Sequence, residues 1–148
     1  MFKKITLKDK SLYYQYIDKN KFLSCEYSFA TLFMWKDFNN IEYDIVNNIF
    51  IIKKYDKNNG KFFMEPLGDI DDNSLINIID YLESIRKKEK SKWLFGDVSI
   101  NFLNRLEAIY KENLIFEEEI NNFDYVYNFD DLRNLSGRKF RKKRNKYN

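Results

Sequence analysis

A run of basic residues at the end of the chain is the sequence feature with the clearest chemistry. From Arg138 to Asn148 the chain has seven Lys or Arg residues and no carboxylate. From Arg133 onward it has eight of the 26 basic residues, so residues 1–132 carry 18 basic against 23 acidic residues. This asymmetry indicates that the tail meets phosphate, acidic lipid headgroups or an acidic protein surface. A solvated chain end is the alternative interpretation.

Other side chains that could support catalysis are few. The sequence has no His, which excludes the commonest zinc ligand and every Ser-His or Cys-His catalytic pair. Cys25 is the only cysteine, and we expect it to be a small buried residue rather than a nucleophile. Any reaction would therefore depend on carboxylates, Tyr, Lys, backbone amides or the positioning of reactants.

Two acidic clusters are candidates for chemistry. Glu117–Glu119 could supply a general base, but alternation along a strand leaves at least one of them in solvent, so we interpret them as a solvated edge. Asp69, Asp71 and Asp72 have the spacing of an oxygen-ligand loop, but they lack the glycine and glutamate of a calcium-binding hand. We therefore predict no metal site and interpret these Asp residues as helix-capping groups.

Length and composition favour one ordinary folded domain. The chain has 148 residues, of which 44% are hydrophobic and 33% are charged, with one Pro and four Gly. These values exclude a disordered or collagen-like chain. The chain has neither a run of about 18 apolar residues nor a signal-peptide hydrophobic block near Met1, so we expect a cytoplasmic protein with no transmembrane segment.

The elements that must position these groups follow from periodicity and caps. Phe2–Leu7 alternates like a half-buried strand, and Asp9 is predicted to cap a helix that ends near Lys19. Ser24 is the predicted cap of a buried helix over Tyr27–Trp35.

Three antiparallel strands are predicted in the middle of the chain. Apolar and acidic residues alternate over Ile41–Ile45, and Phe50–Ile52 is a second apolar run. Asn59-Gly60 is a strong hairpin signal that leads into Lys61–Glu65.

The second half of the chain alternates between helical stripes and short apolar runs. We predict first a helix with the apolar stripe 75–85, then a strand at Trp93–Phe95 that is covered on both faces, and then a helix capped by Ser99. A hairpin of Leu114–Ile120 with Phe123–Tyr127 follows. The chain is then predicted to form a short helix at Phe129–Leu135, a break at Ser136-Gly137 and a basic helix. The predicted class is α/β with a mixed sheet, in the order β-α-α-β-β-β-α-β-α-β-β followed by a basic C-terminal helix.

Several motifs resemble one bacterial family. They are Ser24-x-x-Tyr-Ser-Phe-x-x-Leu-Phe-x-Trp35, Pro66-Leu-Gly68, Asp124-Tyr-Val-Tyr127 and Asp131-Leu-x-x-Leu-Ser-Gly-Arg-Lys-Phe-Arg-Lys-Lys-Arg-Asn145. Together with an element order like that of the GNAT-like acyltransferase fold, they resemble the domains of unknown function related to the C-terminal domain of phosphatidylglycerol lysyltransferase.

This resemblance implies two GNAT-like lobes in tandem, in a family whose better-known relatives move an aminoacyl group from a charged tRNA to a lipid headgroup. The chain resembles the first lobe, which we predict to be residues 1–128, and a basic linking segment, residues 129–148. A second lobe, on the same or a separate chain, is the implied partner. The resemblance further implies a truncated transferase that is not catalytic alone. The resemblance alone implies acyl-CoA or aminoacyl-tRNA as the donor of the transferred group, because no sequence motif of the chain indicates a cofactor.

The turn Glu65–Asp72 corresponds, by the same resemblance, to the turn that binds pyrophosphate in members that use acetyl-CoA. Here the turn has one Gly, a Pro without an amide proton, and three Asp residues that would repel an anion. We therefore expect no acetyl-CoA binding at this turn, and the catalytic residues stay unknown.

The tail supplies the predicted anion-binding residues. If the tail is helical, Phe140 and Tyr147 share one face, and that apolar edge packs against the second lobe. The charged face then meets a tRNA, a nucleotide or an anionic lipid headgroup. The predicted binding residues are Arg138, Lys139, Arg141, Lys142, Lys143 and Arg144.

Other interpretations of the tail stay open, and so do three functions for the chain. The tail could be a helix between lobes held by carboxylates of the other lobe, or a disordered end. The three functions that stay open are a transferase lobe, a module that binds RNA or an anionic surface through its tail, and a noncatalytic structural half.

Overall fold

The computed structural model describes residues 1–18, 22, 24–118, 120 and 128–145. The chain has a mixed α/β fold and forms two compact units, Met1–Ile115 and Phe116–Asn148. The lobe boundary expected after residue 128 stays a prediction. Within the described residues, no helix combines the length and the apolar character that crossing a bilayer requires.

One four-stranded antiparallel sheet organises the first unit, with its strands side by side in chain order. The strands are β1 (Lys3–Lys4), β2 (Glu42–Val46), β3 (Ile49–Asp56) and β4 (Gly60–Phe63). The three middle strands predicted from the sequence are confirmed. β1 is shorter than the predicted strand, because only its two lysines pair with β2.

Turn residues fix the register of these strands. Asn47 and Asn48 both have positive φ, as a two-residue hairpin turn requires, and Val46 pairs directly with Ile49. In the next turn the Asp56 carboxylate accepts hydrogen bonds from the backbone N–H groups of residues 58 and 59. The chain then enters β4 at Gly60, whose φ of 75° is costly for other residues.

The first helix differs from its prediction. α1 covers only Lys10–Tyr13, so it ends well before Lys19, which lies outside the described residues. The Asp9 carboxylate does not cap it, because this group accepts hydrogen bonds from the backbone N–H and hydroxyl of Thr6, at 2.8 and 2.6 Å. A 3-10 turn at Leu7–Asp9 therefore precedes α1.

The second helix begins later than predicted and is only half buried. Ser24 caps a 3-10 turn over Cys25–Tyr27, and Ser28 caps α2 (Phe29–Trp35) by accepting a hydrogen bond from the Thr31 N–H at 3.1 Å. Phe29 and Leu32 are buried, whereas Met34 and Trp35 are exposed. The prediction of one buried helix capped by Ser24 is therefore wrong.

Two longer helices are confirmed. α3 covers Asp72–Glu89, is capped by Asp71 and ends where Lys90 takes a left-handed conformation. α4 covers Ile100–Tyr110 and is capped by Ser99, whose side chain accepts a hydrogen bond from the backbone N–H of residue 102. The buried residues of α3 form the predicted stripe: Leu75, Ile78, Ile79 and Leu82.

The segment between these helices runs parallel to β4 but pairs with it only briefly. Phe63 donates a backbone hydrogen bond to Leu94 and accepts one from Gly96, both at 2.9 Å. A Cβ on Gly96 would lie 2.6 Å from the Phe62 ring, so this approach requires glycine. The predicted strand at Trp93–Phe95 is thus reduced to an isolated parallel bridge.

Apolar side chains pack on both faces of the sheet, which explains why Ile49–Ile52 are all buried. One face packs against the α1–α2 side of the unit, and the other against α3 and α4. The first cluster includes Tyr13, Tyr27, Phe29, Leu32, Tyr43, Phe50, Ile52 and Met64. The second includes Ile49, Ile51, Phe63, Leu75, Ile78, Leu82, Phe102 and Leu106.

In the second unit the described residues are helical or irregular. Residues 116–118 are not a strand, and neither are 114 and 115 before them, so the first strand of the predicted last hairpin is wrong over these residues. Its second strand, Phe123–Tyr127, lies outside the described residues. The predicted short helix is confirmed as α5 (Phe129–Asn134), and Gly137 provides the predicted break with a φ of 84°.

Candidate functional site

The basic tail is helical over its predicted anion-binding residues. A 3-10 turn covers Arg138–Phe140, and α6 covers Arg141–Arg144. The backbone of all six predicted cations lies in these two consecutive turns.

The described cations of the tail present unneutralised charge. The side chains of Arg138, Arg141 and Lys142 are exposed. Within the described part of the chain, none of these three forms an ion pair with a carboxylate. Phe140 is buried, while Tyr147, its predicted companion on an apolar edge, lies outside the described residues. The tail therefore combines accessible positive charge with one buried aromatic residue.

A second polar cluster lies where β4 and the parallel segment 93–97 separate. Ligands of open α/β sheets bind beyond the carboxyl ends of parallel strands, so this crevice is the natural place to look for a site. Here the Tyr27 hydroxyl fills it by donating a hydrogen bond to the Asp97 carbonyl at 2.7 Å and accepting one from the Glu65 N–H at 3.2 Å. Tyr13 in turn donates to the Tyr27 carbonyl at 2.6 Å.

A buried lysine extends this cluster. Lys54 lies on β3 with its side chain 5% exposed, and its Nζ is 2.5 Å from Glu26 Oε2 and 2.6 Å from Asp97 Oδ2. Burial lowers the pKa of Lys54, but attraction to Asp97 and Glu26 outweighs it, so the pKa is raised. The lysine is therefore a cation at neutral pH, and it ties together the segments before α2 and after α3.

Glu65 connects the end of β4 to the start of α4. It is 1% exposed, and its Oε2 accepts a hydrogen bond from the Ser99 hydroxyl at 2.7 Å. Ser99 also caps α4, so the carboxylate lies at the positive end of that helix dipole. The hydrogen bond between Glu65 and Ser99 therefore links the end of β4 to the start of α4.

The Tyr27 hydroxyl and the Lys54 ammonium are both held by partners within this cluster, which leaves these two groups little capacity for acid–base chemistry. Burial raises the pKa of the Tyr27 phenol, with a further contribution from Glu65, so this hydroxyl stays protonated at neutral pH. Lys54 has two carboxylate partners within 2.6 Å. The arrangement bridges β4 and the segment 93–97 where their backbone pairing ends.

The sequence did not predict this cluster. Its members come from four separate segments, and only Tyr27 belongs to one of the sequence motifs quoted above. One sequence signal was available, because Lys53-Lys54 directly follows the apolar run of β3. If that strand is buried, the two ammonium groups require acidic partners. The cluster consists of Glu26, Tyr27, Lys54, Glu65, Asp97 and Ser99.

The acidic turn before α3 has structural roles. Asp71 accepts a hydrogen bond from the Ser74 N–H at 2.7 Å, which confirms it as the cap of α3. Asp72 lies 2.8 Å from the Arg105 guanidinium of α4. The positive end of α3 is thus occupied by the chain's own carboxylates, and the absence of acetyl-CoA binding at Glu65–Asp72 stays a prediction.

The remaining predicted candidates differ in outcome. Cys25 is exposed, so the prediction that it is buried is wrong, because the 3-10 turn capped by Ser24 directs it to solvent. Glu117 and Glu118 are exposed outside any strand, and Glu119 lies outside the described residues. Among the described residues, no group of three or more potential metal ligands comes together.

An exposed apolar surface lies around α1 and α2. Leu7 is 64% exposed and Met34 74%, and both line a groove with a volume of about 250 Å³. Phe29 and Phe33 of α2 form part of its wall. Phe38, which follows α2 in the chain, is 76% exposed. Exposed apolar surface of this kind marks an interaction site or a tendency to self-associate.

Comparisons with known proteins give two matches. Residues 20–148 match the family model described as phosphatidylglycerol lysyltransferase, C-terminal. The chain is also similar to the crystal structure of a conserved protein of unknown function from Bacteroides thetaiotaomicron VPI-5482, with 30% identity and a TM-score of 0.81. That match covers 97% of this chain and 47% of the other, so this chain spans about half the length of its structural relative. No curated protein matches the chain.

Proposed function

Because the chain belongs to the phosphatidylglycerol lysyltransferase C-terminal family, we propose that it is the first lobe of an acyl- or aminoacyl-transferase-like protein. In this proposal the lobe does not catalyse transfer alone. It supplies phosphate-binding cations to a site that a second lobe completes, and the donor is an acyl-CoA or an aminoacyl-tRNA.

A GNAT-like architecture is part of the proposal, and the first unit supports it. β4, α3 and the segment around Phe95 form a strand–helix–segment unit in which the two extended pieces run parallel. The antiparallel strands β1–β4 precede this unit in chain order. The half-length match to the structural relative supports a partner lobe of similar size.

The observation that carries the proposal is the exposed, unneutralised charge of the tail. Arg138, Arg141 and Lys142 form no ion pair within the described residues, whereas Lys54 in the crevice has two carboxylate partners. Phosphate groups bind readily to such a cluster of arginine and lysine. A tRNA, a nucleotide or a lipid headgroup would bring that phosphate.

Independent catalysis is not expected, because the crevice beyond β4 is filled. The Tyr27 hydroxyl occupies backbone groups of Glu65 and Asp97 that a ligand could otherwise bind. A complete site therefore requires groups from elsewhere.

A reconstitution experiment tests this function. The chain alone, a separately expressed second half of a two-lobed family member, and their mixture are assayed for aminoacyl transfer from lysyl-tRNA to phosphatidylglycerol. We expect transfer only in the mixture, and its loss when Arg138, Arg141 and Lys142 are changed together to Gln. Full transfer by the chain alone would contradict the proposal, as would unaffected transfer by the tail variant in the mixture.

A matched control separates a tail-specific effect from a change in net charge. Changing Lys8, Lys10 and Lys111 together to Gln removes the same formal charge from other exposed positions. This control variant should support transfer at the wild-type rate. Circular dichroism of each variant would establish that the fold is retained.

A noncatalytic structural half is the second candidate, and the exposed apolar surface favours it. Under this alternative the chain binds neither RNA nor anionic vesicles, and Met34 and Phe38 drive self-association at high concentration. Sedimentation velocity of the wild type and of a Met34→Ser/Phe38→Ser variant tests it. The third alternative, an independent binding module, predicts phosphate binding by the tail with no effect of a second lobe.

A further inference from the structure

The β3–β4 hairpin and the end of α3 enclose an open groove that the proposed function does not use. Its volume is about 460 Å³, and sites for small ligands commonly span about 300–1,000 Å³. The charged residues that line it are Lys57, Lys61, Lys90, Lys92 and Glu89. Four cations and one carboxylate thus share one concave surface.

The single carboxylate does not neutralise the groove. Glu89 Oε1 lies 3.2 Å from Lys53 Nζ, and its Oε2 lies 3.3 Å from Lys61 Nζ. Burial raises the pKa of Glu89, but its bonds to these two lysines outweigh that effect and lower the pKa, so it is ionised and already paired. Within the described residues, Lys57 and Lys90 form no ion pair, which leaves the groove positive.

The end of a helix normally repels an anion, because its carbonyl groups carry partial negative charge. Here the last turn of α3 carries Arg86, Lys87 and Lys88, and the Lys90 N–H donates hydrogen bonds to the Arg86 and Lys87 carbonyls. Arg86 itself is paired with Glu83, and its Nη1 donates hydrogen bonds to the Ser91 and Lys92 carbonyls at 2.9 and 3.4 Å, which fixes the segment after the helix. The negative end of the helix dipole is therefore offset by basic residues of the last turn.

Aromatic side chains add a second kind of contact. Tyr55 lines the groove and is 41% exposed, and Lys92 Nζ lies 4.6 Å from the centre of the adjacent Trp93 ring. An exposed ring beside lysines can stack on a base while the cations bind phosphate. We infer that this groove binds a nucleotide through its phosphates, with Tyr55 against the base.

Calorimetric titration of the full chain with ATP and with inorganic tripolyphosphate, at about 50 mM salt where phosphate contacts are strong, tests the inference. We expect saturable binding of ATP, and at least fivefold weaker binding of tripolyphosphate, since tripolyphosphate has no base to stack on Tyr55. Changing Lys57, Lys90 and Lys92 together to Gln should weaken ATP binding about tenfold, because three exposed charge contacts to phosphate are lost. Tyr55→Ala should remove the preference for ATP.

Control variants make the site assignment falsifiable. The Lys8/Lys10/Lys111→Gln variant removes the same charge elsewhere and should leave ATP affinity within about twofold, because none of these lysines lines the groove. The tail variant should likewise leave it unchanged, which separates this inference from the proposed function. Equal weakening by either control, or no saturable ATP binding, would overturn the inference. Binding of single-stranded RNA without binding of ATP would overturn it as well, because it would indicate an extended strand as the ligand.

Discussion

The Tyr27 hydroxyl is the side-chain group on which the closed crevice depends most. It bridges the Asp97 carbonyl and the Glu65 N–H, where the parallel backbone pairing ends. Without it, two backbone groups of a largely buried region would lose their partner. The same hydroxyl also belongs to the motif between Ser24 and Trp35, so a family resemblance and a structural role meet at one residue.

Tyr27→Phe should lower the free energy of unfolding by about 1–3 kcal/mol, because it leaves buried polar groups unsatisfied without creating a cavity. Urea unfolding followed by fluorescence measures this change. Tyr81→Phe is the matched control, since Tyr81 is 37% exposed on α3, and it should change stability by less than about 0.5 kcal/mol. Equal effects of the two substitutions would show that the bridge does not stabilise the crevice.

Alkaline pH should weaken the same cluster. The pKa of Lys54 is raised above 10.5, so its contribution to stability is complete below pH 10.5 and is lost as pH rises through the higher folded-state pKa. The contribution of Tyr27 to stability changes with pH in the same direction, because burial raises the pKa of its phenol above 10.0. The free energy of unfolding should therefore fall as pH rises above 10.0.

A Lys54→Met variant provides the comparison for this pH dependence. It should be less stable at neutral pH by about 2 kcal/mol, because two partly exposed carboxylates lose a buried partner. Its stability should fall less steeply than that of the wild type between pH 9 and 11. Parallel curves from urea titrations would show that Lys54 does not carry the effect.

Among the helices and strands, local signals predicted those elements that have strong periodicity and a polar cap. β2, β3, β4, α3 and α4 were all predictable, since alternation, the Asn59-Gly60 turn, Asp71 and Ser99 agree with the final pairing. The length of α1 was overestimated, because the Asp9 carboxylate accepts hydrogen bonds from Thr6 instead of capping a helix. Residues 114–118 have strand-like composition, but a strand also needs a neighbour with which to pair.

The end of α3 offers a test of helix termination. Lys90 has a φ of 57°, a conformation that is costly for residues with a Cβ and favourable for Gly. Lys90→Gly should therefore stabilise the protein by about 0.5–1 kcal/mol. Lys88→Gly, inside the same helix, should destabilise it by about 1 kcal/mol. Thermal unfolding of both variants measures the two effects, and a destabilising Lys90→Gly would contradict this description of the helix end.

For the molecule as a whole, charge is distributed very unevenly. The tail has cations without carboxylates, while the buried lysines of the first unit have close acidic partners. The tail was predictable from the sequence, because a basic run needs no tertiary information. The crevice was not, since Glu26, Lys54 and Asp97 meet only after the sheet and its flanking turns have formed. The exposed apolar surface was missed because the apolar circumference of α2 was interpreted as burial.

The central claim is that the tail uses its free positive charge to bind phosphate. Its most direct test is the salt dependence of binding to RNA and to vesicles containing phosphatidylglycerol, between about 50 and 200 mM salt. We expect affinity for at least one of these ligands to fall steeply with salt. Neutral vesicles should not bind.

The decisive comparison is the slope for the wild type against that for the variant with Arg138, Arg141 and Lys142 changed to Gln. For RNA, the slope should decrease by about 2 log units per log unit of salt, because each lost phosphate contact removes about 0.7 on a single strand. For vesicles, the variant should show a clearly shallower slope than the Lys8/Lys10/Lys111→Gln control. A flat salt response of the wild type, or identical slopes for wild type and tail variant, would contradict the account.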